Sequence, residues 1–283
     1  MTWLGTVRAA LDEAAEAEAP RPFFFRDDDA GWRDDRLRAV LDCFQTHGVP
    51  VDVAVIPAEL TPGLARELEA RVRDTGVRVH QHGFAHVNHE PSGRKCEFGQ
   101  ARDAAAHARD IAEGQRLMHD AFGPAVDAVF TPPWNRCVPG IAGALRPLGF
   151  EVLSRDSTAA PLEPSDLAEV PVTVDWFGHH KGVRWTRDEL GEVIAASVRR
   201  DRAVGVMLHH AVTEEADLAG IGELLALVAG HAHAHPTTIM ALRPLTGPGH
   251  RRLTSSRVRL ETAGSRSRCG RAPPEPPPAP RGL

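Results

Sequence analysis

Short apolar runs alternate along this chain with longer amphipathic segments. The short runs have the length of buried strands, whereas the longer segments repeat apolar positions at helical spacing. We predict helices at 35–47, 62–75, 100–122, 139–148, 186–201 and 214–235. We predict strands at 23–25, 51–56, 77–79, 128–130, 150–153, 170–174, 204–208 and 238–242. This alternation of strands and helices favours a largely parallel sheet.

Polar and aromatic residues with chemical potential directly follow several of these strands. They are Asp27 to Asp29, His82, His86, Trp134, Asp175 and His209. Strand ends that converge on one mouth are typical of barrel enzymes. We therefore predict a single α/β domain with a distorted parallel (β/α)7-8 TIM-like barrel. The sequence has no GxGxxG or GxxxxGK turn after an early strand, which argues against a dinucleotide or phosphate-loop fold.

Composition divides the 283 residues into three parts. The predicted barrel covers 23–246, and a helical segment, 1–22, precedes it. Segment 247–283 is rich in Pro, Arg and Gly, and we predict that it is a disordered tail because it has too few apolar residues to build a core.

Net charge, the composition of 1–22 and the spacing of the cysteines limit the partners and the compartment that we expect. The formal net charge is −5, which gives no global basic field, so we expect neither nucleic acid nor a membrane as a partner. Acidic residues in 1–22 are unlike a secretory signal, and we predict a cytoplasmic protein. The cysteines lack CxxC spacing, which predicts reduced thiols at Cys43, Cys96, Cys137 and Cys269.

The segment VHQHGFAHVNH concentrates histidines at the end of a predicted strand. His82 and His86 are four residues apart, so one helical turn would direct both imidazoles to one cation. The acidic run at Asp27 to Asp29 is suited to give the third ligand, since adjacent carboxylates repel one another unless a cation is present. Together the two motifs predict a divalent metal centre. We expect zinc, while cobalt, nickel, manganese and iron suit the same donors.

Five ordered motifs resemble the polysaccharide deacetylase family, the family 4 carbohydrate esterases with a nodulation-factor deacetylase homology domain. The five motifs lie between residues 26 and 210. The first two motifs are specific as a pair, and the last three are short. In chain order the motifs are RDDDAG, HGFAH, TPPWN, VDWF and VMLHH.

The resemblance implies a role for individual residues. Asp28 corresponds to the catalytic base, and Asp29, His82 and His86 correspond to the metal ligands. A shift by one residue would give the aspartate roles to Asp27 and Asp28 instead; we prefer Asp28 and Asp29 because of the position of Gly31. His209 corresponds to the general acid, with His210 as the alternative. Asp175 corresponds to an orienting carboxylate, and Trp134 and Trp176 correspond to substrate-binding aromatics.

The third motif departs from the family pattern. The family has an arginine there that contacts the catalytic aspartate, and this chain has Thr131. We assign the catalytic arginine to Arg136, with Arg26 and Arg155 as alternatives.

The implied reaction is hydrolysis of a carbon–nitrogen bond that is not a peptide bond. The expected substrate is an N-acetylated sugar, a glycan precursor or another small amide, with Asp28 as base and His209 as acid. Two alternatives stay open at this point. One is a cyclic amide or ureide hydrolase on the same fold, and the other is a metal- or glycan-binding domain without turnover.

Overall fold

The strands form one curled sheet in which every pairing is parallel. We describe a computed structural model covering residues 2–16, 20–160, 162, 167–178 and 184–243. The strand order is β6-β5-β4-β3-β2-β1-β8-β7, with β9 beside the start of β1. The strands are β1 (Arg21–Ala30), β2 (Val51–Val55), β3 (Val77–His82), β4 (Val126–Thr131), β5 (Val152–Leu153), β6 (Ala168–Glu169), β7 (Val174–Asp175), β8 (Val204–His209) and β9 (Ala234–Pro236).

Helices connect these strands and flank the sheet, which confirms the prediction of a distorted α/β barrel. They are α1 (Gly5–Glu16), α2 (Asp34–His47), α3 (Pro62–Asp74), α4 (Ala104–Phe122), α5 (Ala142–Leu145), α6 (Arg187–Arg200) and α7 (Glu215–Gly230). Several begin with the expected chemistry. The Thr61 hydroxyl accepts from the Leu64 amide before α3, and Thr186 and Glu189 form a capping box at α6.

Three predicted elements were wrong. No strand forms at 238–242; a short 3-10 helix covers Met240–Leu242 instead, and the buried Ile239 donates its amide hydrogen to Asp52. Helix α7 stops at Gly230 and β9 follows, so the helix predicted at 214–235 is too long. The run at 170–174 is not one strand, because it changes partner: the Val170 and Val172 amides donate to Leu153 and Arg155, next to β5, whereas the Thr173 amide donates to Gly205 of β8.

Strand alternation separates two environments on the sheet. Phe23 and Phe25 face the main core between the sheet and its helices, whereas Phe24 belongs to a smaller apolar cluster with Met207 and Ile239. Arg26 and Asp28 follow Phe24 on the same face. Polar side chains therefore lie on the inner face, toward the carboxyl ends of the strands.

The described residues belong to one compact unit, 1–247. Helix α1 lies within the predicted segment 1–22, and it packs on α6 with Val7, Leu11 and Ala14 buried. The predicted disordered tail, 247–283, lies outside the described residues. Among the helices that the structure describes, none has the length and hydropathy of a membrane span.

Candidate metal centre and active site

The backbone at the end of β1 brings two neighbouring aspartates to the same site. In a regular strand Asp28 and Asp29 would point to opposite faces. Asp29 instead has φ 73°, and the register with β2 shifts between Asp27 and Ala30. Such a bulge redirects a side chain. Gly31 continues the turn at φ 117°, where a Cβ would lie 2.8 Å from that of Glu59.

Asp29, His82 and His86 form the metal-ligand group that the sequence predicts. Asp29 Oδ1 lies 3.1 Å from Nε2 of each histidine, and the three candidate ligand atoms lie within 4.8 Å of one another. His82 ends β3, but His86 lies in an irregular loop, so the predicted helical turn was wrong. His86 reaches the group through a left-handed backbone conformation, with φ 54°.

The hydrogen bonds of His82 suit a metal ligand. Its Nδ1 lies 3.0 Å from the carbonyl oxygen of Thr131. A carbonyl oxygen only accepts, so Nδ1 carries a hydrogen and Nε2 is left for ligation. Ligating histidines commonly have such an outer partner. The donor set therefore fits a divalent cation.

The charges in this group depend on one another. Burial by itself would raise the pKa of Asp29, but the hydrogen bonds from His82 and His86 outweigh burial and hold this pKa well below its usual range. Burial would likewise lower the pKa of His82, yet Asp29 and Asp28 raise it. The carboxylate thus needs positive charge beside it, which imidazolium protons or a bound cation can supply.

Asp28 is held by Arg26, two residues before it on the same strand. The Nε and Nη2 atoms of Arg26 each donate to a different carboxylate oxygen at 2.8 Å, and both side chains are almost fully buried. Arg26 also donates to Ser154 and Asn135. Burial alone would raise the pKa of Asp28, but Arg26, helped by His82 and His209, lowers it. Asp28 is therefore held as a carboxylate.

Asp27 faces away from this group and pairs with His210. It accepts from the His210 backbone amide at 3.0 Å and lies 2.6 Å from Nδ1 of the ring. His210 Nε2 lies 2.6 Å from the carbonyl oxygen of Trp32. Burial alone would lower the pKa of His210, but Asp27 raises it to about 9. Both Asp27 oxygens are thus engaged in a sealed pair.

His209 lies at the end of β8, opposite Asp28 in the strand register. Its charge contributes to the lowered pKa values of both Asp28 and Asp29, as expected for a close neighbour. The His209 side chain is half-buried and lies 6.4 Å from the Phe177 ring, centroid to centroid. Asp175 accepts from the Phe177 backbone amide, so its observed hydrogen bond is to that backbone rather than to a histidine.

Aromatic rings surround His86. The Trp134 ring lies 4.4 Å from the His86 ring and the Trp32 ring lies 4.7 Å from it, centroid to centroid. Trp134 has φ 55°, which directs it toward this group, and the Lys95 ammonium lies 5.9 Å from its ring centroid. Trp134 is thus beside the metal-ligand group, as the sequence predicts.

Two predicted site residues are found in other surroundings. Trp176 is 3% exposed and packs in the main core against Trp3. Arg136 donates to the Lys95 carbonyl oxygen, and Asp28 is bound by Arg26 instead. Thr131, at the position where the resemblance implies an arginine, lies 2.9 Å from His80 Nε2 through its hydroxyl.

Sequence reasoning missed Trp32 and Glu97. Trp32 directly follows the Asp-Ala-Gly segment, and this position next to the first motif could have indicated that it lies near the site. Glu97 is buried and binds backbone amides of the loop that carries His86. It gave no signal, because no pattern in the sequence links it to that loop.

No family model matches the sequence, and a search of curated proteins finds no significant match. Solved structures do share the fold. A Mycobacterium smegmatis protein, provisionally described as a polysaccharide deacetylase, matches with a TM-score of 0.61 and 15% identity, covering 81% of this chain and 98% of its own. A family 4 acetyl xylan esterase from Clostridium thermocellum, in complex with cobalt, has a TM-score of 0.52 and 14% identity, covering 78% and 89%.

A family 4 pseudoenzyme from Bacillus anthracis has the same fold, with a TM-score of 0.52 and 13% identity over 79% of this chain and 69% of its own. The structural neighbours are thus polysaccharide deacetylases and family 4 carbohydrate esterases, which confirms the predicted resemblance at the level of fold. Because a fold can host several functions, the function has to be argued from the residues of the site.

Proposed function

We propose that this protein is a divalent-metal-dependent hydrolase that removes the acetyl group from an N-acetylated sugar or glycan precursor. The observation that carries this proposal is the convergence of Asp29, His82 and His86 beside a buried Asp28 and His209. A binding protein would need only the first three of these residues.

Each residue has a role that follows from its surroundings. Asp29, His82 and His86 would hold the cation, which supplies polarisation of the acyl carbonyl and a lowered pKa for a water molecule. Asp28 stays ionised because Arg26 binds both of its oxygens, so it can take a proton from the attacking water. His209, on the neighbouring strand, would protonate the departing nitrogen.

Other residues would shape the substrate groove. Trp134 and Trp32 lie against His86 and offer flat apolar faces of the kind that pack on sugar rings. The same chemistry would cleave an acetyl ester, and the structural neighbours include an acetyl xylan esterase. The amide is our choice because an amine leaves only after its nitrogen has been protonated, and the half-buried His209 can supply that proton. Release of an alcohol from an ester depends less on such an acid.

The test combines cation binding with product analysis. Metal-free protein is titrated with Zn²⁺ or Co²⁺ in a calorimeter, and acetate release is measured on N-acetyl-glucosamine oligomers and acetylated xylan. We expect one cation per chain and faster release from the amide. His82→Ala should lose cation binding and activity together, whereas His119→Ala, an exposed histidine on α4, should keep both.

Three results would overturn the proposal. They are wild-type levels of cation binding in His82→Ala, ring opening of cyclic amides without acetate release from any acetylated substrate, and cation binding without turnover of any compound in the panel. The last would identify a binding domain.

A further inference from the structure

The loop after β3 has to place His86 without the help of a helix. Residues 83–89 form no regular element, and both Gly83 (φ 58°) and His86 (φ 54°) adopt left-handed conformations. A loop of this kind has amide hydrogens with no partner in the sheet, and such groups are costly when they are buried. Something outside the loop has to bind them.

Glu97 binds these amides. Its Oε2 accepts from the Phe84 amide at 3.1 Å, and its Oε1 accepts from the Ala85 amide at 2.8 Å and, more weakly, from the Val87 amide at 3.5 Å. These amides lie on both sides of His86 in the loop. One carboxylate therefore fixes the backbone that carries the ligand.

Among the described residues, no Arg, Lys or His side chain forms an ion pair with Glu97, whose side chain is 1% exposed and accepts from backbone amides. A buried carboxylate is costly unless several donors solvate it. Converging backbone amides form an anion-binding concavity, and hydrogen bonds to an ionised acceptor are stronger than neutral ones. The loop and the carboxylate thus stabilise each other.

Gly83 makes this contact sterically possible. A Cβ at Gly83 would lie 2.2 Å from Glu97 Oε2 and 2.5 Å from Pro133 Cδ. Any larger residue would push the carboxylate away from the loop. Gly83 and Glu97 are therefore complementary parts of one arrangement.

We propose that Glu97 is a positioning residue that holds the 84–87 loop in its ligating conformation before a cation binds. This inference rests on the proposed metal site. A loop fixed in advance does not have to be ordered at the expense of binding free energy, so cation affinity should depend on Glu97 although Glu97 is not a ligand.

Two measurements on Glu97→Gln test the proposal. The first is amide hydrogen exchange in metal-free protein, where we expect at least tenfold faster exchange in the peptide covering 83–89. The second is calorimetric Zn²⁺ titration, where we expect affinity to fall about 10- to 100-fold, the usual effect of removing an outer partner. Glutamine keeps the size of the side chain but places an amide donor against the loop's own donors.

Glu90→Gln is the matched control. Glu90 lies near the same segment and also accepts a backbone amide, but its donor is Ala101, outside the ligand loop. It should leave both measurements within about twofold. If Glu97→Gln fails to fold, Glu97→Asp replaces it, because aspartate keeps the charge and shortens the side chain by one methylene group; weaker Zn²⁺ binding and faster loop exchange are expected.

The outcomes separate this inference from the proposed function. Unchanged loop exchange in the Glu97 variant would overturn the inference, and so would faster exchange with wild-type Zn²⁺ affinity. Wild-type protein that binds no Zn²⁺ would overturn both the proposed function and the positioning role. Loss of affinity with intact wild-type deacetylation would support both.

Discussion

Two adjacent aspartates of β1, Asp27 and Asp28, are each paired with a buried, positively charged side chain, yet their surroundings differ. Asp27 and His210 are both fully buried, and His210 is fixed on its other side by the Trp32 carbonyl oxygen. Asp28 is bound by Arg26, but it also lies beside His82 and His209. The same kind of ion pair thus serves the fold on one face of the strand and faces the candidate site on the other.

The first and largest expected effect concerns catalysis. Asp28→Asn should lower kcat for acetate release about 10³-fold, because asparagine cannot accept the proton. Asp27→Asn should change kcat of the folded protein less than about tenfold, since Asp27 faces away from the site. Steady-state kinetics on zinc-loaded protein check this, and calorimetric Zn²⁺ affinity should stay within a few-fold in Asp28→Asn. Equal losses of kcat in the two variants would contradict the distinction.

The second effect is on the free energy of unfolding, where the Asp27 variant should lose more than the Asp28 variant, the reverse of their order in kcat. Asp27→Asn should lower the free energy of unfolding by about 3 to 4 kcal/mol, because it leaves the buried His210 cation without its carboxylate. Asp28→Asn should cost less, since Arg26 still donates to Ser154 and Asn135. Urea unfolding of the metal-free proteins at pH 7 measures both values. A smaller loss for Asp27→Asn than for Asp28→Asn would refute this ranking.

The third effect is the pH dependence of the sealed pair. The pKa of His210 is raised from 6.5 to about 9 on folding. Its contribution to stability should therefore be complete below about pH 6.5 and disappear as the pH rises through about 9, a change of up to about 3 kcal/mol. Urea unfolding of wild type and His210→Gln across this range tests it. Parallel stability curves would mean that His210 does not carry the raised pKa.

The smallest effect concerns the arginine of the catalytic face. Arg26→Lys keeps the charge but loses the two-pronged hydrogen bond, so kcat/KM should fall about tenfold. Because Arg26 lowers the pKa of Asp28, its weakening should raise that pKa and move the onset of activity to higher pH. The pH profile of kcat/KM checks this against Arg102→Lys, whose guanidinium pairs with Asp110 elsewhere. An unshifted profile would remove Arg26 from the proposed role.

Much of the fold follows from local sequence pattern. Strands β1 to β4 and β8 were located because each contains a short run in which apolar residues predominate. The region after α7 was predicted wrongly, because the apolar side chain of Ile239 packs in a cluster without being part of a strand. It joins the small cluster on the inner face of the sheet while its amide binds Asp52, and a window of sequence cannot distinguish this from a strand.

The site was predictable as far as its ligands and less so for their partners. His82, His86 and Asp29 converge as predicted, although the loop that achieves this is not helical. The burial of Trp176 could have been predicted from strand alternation, which places it on the face opposite to its neighbour Asp175. The pairing of Arg26 with Asp28, in contrast, depends on the inward direction of both side chains and on Ser154, which follows β5 and is distant in sequence.

Left-handed backbone conformations have a consequence for protein engineering. Four non-glycine residues with positive φ lie in or beside the site: Asp29, His86, Trp134 and Asn135. Each such conformation typically costs on the order of 1 kcal/mol for a residue with a Cβ. At His86 and Trp134, selection for thermal stability alone should therefore favour glycine, whereas selection for activity should keep the side chains. Asn135 differs because its side chain also accepts a hydrogen bond from the buried Arg26. Directed evolution of this chain would need both selections at once.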